Sequence, residues 1–249
     1  MGQVGLHGLV GLVVGRGLIT AHVTDRQAKK AVMFGFVMGN LAPDLDFLAA
    51  VGMYPTDPDA AMHLHRTFSH SLLAVVTVLV GFSVLAAILA DDHLKYLGRG
   101  FALGILAHLT VDIFIWFSPV DVFWPASVYG IIPPVNLWQG YEPPVVVDRL
   151  LGAAELAAYA LYYQYLARAA RRLGTDEEML PMLDRMAAFC WDYWAVLSVL
   201  ALDPRTPLNP IYAYIPLGVI FVPGCFYLTW RLEQTIEALA IEGYSGALD

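Results

Sequence analysis

Residues 71 to 90 read SLLAVVTVLVGFSVLAAILA, twenty consecutive positions without a charged side chain. A helix of that length crosses the roughly 30 Å hydrocarbon core of a bilayer, so this run specifies a membrane-spanning helix. Working outward, residues 101 to 117 and 211 to 230 are similarly apolar. Of the 249 residues, 58% are hydrophobic and 14% charged, well below the share of about 25% charged found in soluble proteins. The mean hydropathy is +0.60. The expected fold is all-α: a polytopic membrane helical bundle of about five to seven membrane helices, built as a single integral membrane domain over residues 1–249.

The pattern predicts helices at about 3–20, 28–43, 70–90, 97–117, 148–171, 187–202 and 210–231. The first lacks a basic leader and a small-residue cleavage site and contains His7 and Arg16, so it is expected to stay on the chain. Residues 118–147 contain Pro119, Pro125, Pro133, Pro134, Pro143 and Pro144 among several aromatics, a composition that suits an interfacial lid. The stretch GTDEEMLPMLDR from Gly174 to Arg185 is the expected break after the front helices. Residues 1–147 hold the candidate site, and residues 148–249 form a C-terminal helical half. Cys190 and Cys225 are the only cysteines and form no CxxC pair, so neither disulfide nor thiolate–metal chemistry is indicated. A net charge of −8, with no basic stripe, excludes nucleic acid as a partner.

Three short motifs interrupt the apolar sequence. They are Pro43-Asp44-Leu45-Asp46, then His65-Arg66-Thr67-Phe68-Ser69-His70-Ser71, then His108-Leu109-Thr110-Val111-Asp112. Each has an ordinary structural reading. Pro43-Asp44 can stop a helix with an Asx turn, Ser69 or Ser71 can cap the helix that follows, and His108 with Asp112 can be a buried hydrogen-bonded pair. Threading the helices up and down through a bilayer joins the three. His7 falls at the start of the first helix, Asp44 and Asp46 at the end of the second, and His65 and His70 before the third. His108 and Asp112 share one face of the fourth, in its far half. Seven ligand-type side chains therefore meet at one membrane face. Imidazoles and carboxylates are costly beside lipid, and a metal ion is the simplest compensating partner.

The same threading sends eleven of the fourteen basic residues to the opposite face and leaves only Arg66, Arg149 and Arg205 on the ligand side. Loops retained in the cytoplasm carry the excess of Lys and Arg, so the site is expected on the extracytoplasmic face of a multi-pass membrane protein. His22 and His93 fall on the cytoplasmic side, His63 reads as a solvated loop residue, and Asp148 as a helix-capping carboxylate.

The order of His7, GNLAPDLDF, HRTFSHSLL, GILAHLTVD and Phe123-Trp124-Pro125 resembles the YdjM-type family of inner-membrane, metal-dependent hydrolases, LexA-regulated in its namesake. The likeness spans about the first 125 residues. Thr67 stands where that family usually has Gly, and the stretch between Asp112 and Trp124 also lacks its usual Gly. The motif logic is distantly similar to that of zinc-dependent phospholipase C and P1 nuclease, which implies phosphoester hydrolysis.

Imidazole and carboxylate without thiolate suit Zn²⁺ first, with Mn²⁺ or Fe²⁺ as alternatives, and this number of ligands suggests two ions. The expected metal residues are His7, Asp44, Asp46, His65, His70, His108 and Asp112, with Asp44 or Asp46 either bridging or orienting a ligand. Asp46 and Arg66 are the expected catalytic residues. Arg66 either clamps a phosphate or carboxylate oxygen or pairs with Asp46. Metal-activated water would hydrolyse a phosphoester or other ester, and the expected substrate is a membrane lipid or related amphiphile. A divalent-cation transporter and a non-catalytic protein stapled by metal are the alternative readings.

Overall fold

A computed structural model of the chain describes residues 4–53, 56–57, 60–61, 65, 67–115, 117, 119–203 and 217–242. Among these residues the regular elements are helical, with one isolated antiparallel bridge between Val120 and Val135. Helices α1 (Val4–His22) and α2 (Arg26–Leu41) form an antiparallel pair, and Asp25 caps the second by accepting a hydrogen bond from the Ala28 N–H at 2.7 Å. Pro43 cannot donate to a continuing α ladder, so α2 gives way to a 3-10 turn, Pro43–Asp46, and the short α3 (Phe47–Met53). A second 3-10 turn, Phe68–His70, leads into α4 (Leu72–Leu89), with Ser71 as its N-cap.

Helix α5 (Asp92–Ile115) returns along α4. After the Pro-rich segment come α6 (Val145–Leu173), closed by Gly174 at φ +64°, and α7 (Leu180–Ala201). A π turn (Leu217–Phe221), α8 (Val222–Arg231) and α9 (Glu233–Ile241) complete the described chain. Among the described residues, four stretches are long and apolar enough to cross a membrane: Val4–His22, Arg26–Ala50, Leu72–Leu89 and Asp92–Ile115. Helix α4 is the most lipid-like, since it buries only Ala74 and Ala86 and leaves its other faces apolar and open.

Helix α5 begins at Asp92, five residues before the expected start, and two other boundaries differ from expectation for identifiable reasons. The predicted break over 174–185 is shorter because Pro181 sits in the first turn of α7, where its missing N–H costs nothing. The predicted helix over 210–231 is regular α only from Val222, and positions 210–216 lie outside the described residues.

What sets the position of α2 against α5 is a double glycine seam. Gly35 and Gly39 on α2 face Leu97 and Phe101 on α5, while Gly100 and Gly104 on α5 face Val32 and Phe36 on α2, so the two helices run side by side in the same direction. A Cβ on Gly39 would lie 2.0 Å from the Phe101 carbonyl oxygen, and one on Gly100 2.2 Å from that of Val32. Only glycine permits such backbone contact, and small-xxx-small spacing is how membrane helices reach it. Helix α6 packs its buried Tyr159, Tyr162 and Tyr163 behind α1, whose Gly5 and Gly8 admit the first two. With this packing, the start of α1, the end of α2, the approach to α4 and the far half of α5 all meet at one end of the bundle.

Candidate metal centre

Six of the predicted ligands converge at that end and are almost fully buried: His7, Asp44, His65, His70, His108 and Asp112, each 0–2% exposed. The Nε2 atoms of His7, His70 and His108 face both Asp44 and Asp112, and that of His65 faces Asp44. Asp44 lies 4.0 Å from His7 Nε2, 3.9 Å from His65 Nε2, 3.6 Å from His70 Nε2 and 3.9 Å from His108 Nε2. Asp112 lies 3.0 Å from His7 Nε2, 3.5 Å from His70 Nε2 and 3.3 Å from His108 Nε2. Two sets of three ligand atoms each gather within 4.8 Å: His7, His108 and Asp112, and Asp44, His65 and His70.

The glycine seam explains part of this geometry. Gly104 brings α5 against Asn40, and one turn later His108 Nδ1 lies 2.8 Å from the Asn40 carbonyl oxygen. That acceptor fixes the proton on Nδ1 and leaves the Nε2 lone pair free for a cation. Asp46 performs the corresponding task for two other rings. It lies behind them, 2.5 Å from His65 Nδ1 and 3.4 Å from His70 Nδ1, and accepts a further hydrogen bond from Ser69 Oγ. Asp46 is thus placed on the Nδ1 side of the imidazoles, away from the Nε2 cluster. Arg66 and His63 lie outside the described residues.

Several features of this site suit a cation. His70 Nε2 and His108 Nε2 are 3.1 Å apart, and Asp44 Oδ2 and His7 Nδ1 are buried without a hydrogen-bond partner. Buried carboxylates left with such incomplete pairing are costly. Separations of 3.0–4.0 Å between the donors bracket the roughly 3.3–3.6 Å between neighbouring ligands of a tetrahedral ion at zinc–ligand distances of about 2.0–2.2 Å. Metal-free, the centre retains protons instead. Burial disfavours a charged His70, but the carboxylates of Asp44, Asp46 and Asp112 outweigh it and push its pKa up to about 10. Burial prevails at His65, which is held below its ordinary value against the pull of Asp46. These buried groups could hold a metal ion, which must then displace the His70 proton.

Sequence reasoning missed one contributor. Glu155, on α6, is buried and accepts a hydrogen bond from the Gly5 N–H at 2.6 Å, tying down the first turn of the helix that carries His7. An acidic residue within an apolar stretch, LLGAAELAAYAL, was the available signal.

A family model described as YdjM inner membrane protein matches residues 1–173. The chain belongs to that family. No curated protein and no solved structure matches it. The YdjM match contains all the predicted ligands as well as Glu155 and ends at Leu173, the last residue of α6. YdjM proteins are inner membrane proteins, in agreement with the four apolar helices seen here.

Proposed function

We propose that this YdjM protein is a membrane-bound, metal-dependent hydrolase that cleaves a phosphoester, or another ester, of a membrane lipid or related amphiphile. The observation that carries the proposal is the grouping of the ligands into two adjacent sets of three. Catalytic zinc sites keep three protein ligands and an open position, whereas structural sites close with four. The position of the centre at the helix ends also favours hydrolysis over ion transport, whose sites lie near the bilayer midplane.

His7, His108 and Asp112 would hold one ion and Asp44, His65 and His70 the other, zinc being the best chemical match and manganese or iron(II) the alternatives. When bound, a pair of such ions supplies Lewis acidity, a water whose pKa falls toward about 7, and charge stabilisation for the attacking and leaving oxygens. The chain's own residues do the remaining work. Asn40 fixes the His108 tautomer through its carbonyl oxygen, and Asp46 fixes His65 and His70 from their Nδ1 side. Arg66, one residue from His65, would clamp a phosphate oxygen or orient Asp46. The basic residues Arg16, Lys30 and Arg172 form ion pairs at the opposite end of the bundle, which supports placing the centre on the extracytoplasmic face.

The test is to purify the protein in detergent without chelators, measure bound metal by mass spectrometry and assay a phosphoester panel, comparing wild type with His108→Ala and Asp112→Ala. The expected result is metal and hydrolysis in wild type and loss of both in the variants. Metal-free wild type, or metal-loaded wild type inert toward every ester, overturns the proposal.

A further inference from the structure

The Pro-rich segment between α5 and α6 is held against the rim of the metal centre. The Leu72 N–H donates to the Val122 carbonyl at 2.9 Å, directly after the His70-Ser71 pair, and the Trp124 ring meets Phe68 edge-on at 5.6 Å. Val120 and Val135 pair as the base of a hairpin, and Trp138 Nε1 donates to the Phe114 carbonyl at 3.0 Å, pinning the second arm to the end of α5. Beyond that base the hairpin turns its apolar side chains outward. Tyr129 is 77% exposed, Ile131 71% and Val128 67%.

Three further features say what covers this tip. Its backbone is partly paired within the turn: the N–H groups of Val128, Gly130 and Ile131 donate to the carbonyls of Pro125, Ser127 and Ala126. Such pairing lowers the cost of seating the turn at the headgroup boundary, where water still reaches the remaining polar groups. The whole segment from 118 to 147 contains no Lys, Arg or His, while Asp121 and Glu142 are acidic. Attraction to anionic headgroups is therefore absent, and apolar burial is the available driving force. The tip is also continuous with the lipid-facing surface of α4, through the Val122–Leu72 bond and the exposed Leu72, Leu73 and Val76.

We infer that the 126–132 hairpin tip is a membrane-dipping anchor, seated at the headgroup–acyl boundary of the leaflet on the metal-centre side. It binds by apolar insertion into neutral or zwitterionic lipid. A second part of the inference rests on the proposed hydrolase reading. The rim beside this anchor, where Phe68 is 43% exposed and Asp46 is the least buried of the predicted ligands, admits the headgroup of a lipid that remains in the leaflet.

Depth is measured with a nitroxide attached to Ile131→Cys in wild-type background, reconstituted in phosphatidylcholine vesicles; Cys190 and Cys225 are buried and escape labelling. Collisions with oxygen should exceed those with a water-soluble nickel chelate, as at Val80→Cys on α4, and the ratio should not change with added salt. Nickel access equal to that of an exposed loop position, Glu142→Cys, overturns the anchor. In the hydrolysis arm, Tyr129→Ser with Ile131→Ser should lower turnover of vesicle-embedded phospholipid about tenfold while leaving a short water-soluble phosphoester unaffected. Equal loss on both substrates, or no loss on either, overturns the lateral route. Wild type inactive on both defeats the hydrolase reading, and the collision ratio still decides the anchor.

Discussion

The two ends of this bundle carry the same ligand chemistry in opposite settings. At one end, His7, Asp44, His65, His70, His108 and Asp112 are buried, and three of the four rings have an oxygen acceptor near Nδ1. At the other, His93 meets Glu233 and Glu237, whose ligand atoms also lie within 4.8 Å of one another. There His93 is exposed and Glu237 is already paired with Lys30 at 3.2 Å. Closeness of ligand-type atoms is common to both ends. Burial, converging Nε2 atoms and orienting acceptors distinguish the first, and these make it the end that could hold a cation.

The largest test of that contrast is substitution at each end. His108→Ala should lower metal affinity by a hundredfold or more, by roughly the loss of one first-row ligand with its orienting bond, while His93→Ala leaves the metal content measured by mass spectrometry unchanged. Equal losses would erase the distinction. Next in size is the glycine seam that holds His108 in register. Gly39→Leu should destabilise the bundle by about 1–3 kcal/mol or more, because α5 must move away from α2, and thermal unfolding in detergent should fall with metal content alongside it. Asp46→Asn keeps the shape but weakens the acceptor behind His65 and His70, so affinity should drop about 10–100-fold in a competition titration with a chelating dye. A smaller effect comes from pH. His70 is protonated in the metal-free protein up to about 10, so metal uptake near neutrality releases a proton and affinity should rise with pH by about tenfold per unit. Calorimetry in buffers of different ionisation enthalpy counts that proton; zero release would sever the link between His70 and the ion.

How far the sequence could be read depends on how local each signal is. The charge-free run from 71 to 90 marks a helix because hydrocarbon thickness and helical rise are fixed quantities, and α4 occupies Leu72–Leu89. The ligands were legible because alternating helices bring His7, Asp44, His70 and His108 to the same end, whatever the packing angles. Asp46 was recognised as part of the set, yet its place behind the rings depends on how the two 3-10 turns face each other. The Asn40 carbonyl has no side-chain signature at all. Glu155 acts across 150 positions of sequence on a backbone N–H, and no spacing rule connects it to Gly5. Helix α9 lies outside the predicted helices, and its Glu237 and the following Glu242 meet Lys30, Arg16 and Arg172 only in the packed chain.

By itself, then, the sequence determined that this chain lives in a membrane as helices and that a set of imidazoles and carboxylates collects at one end, since both follow from hydropathy and from the reversal of direction at each turn. Tertiary structure decided which atoms of those side chains meet. The glycine seam lets two backbones touch and thereby sets the His108 register, and Asp46, Asn40 and Glu155 orient what hydropathy could only bring near, because hydrogen-bond direction depends on positions that only the packed chain defines.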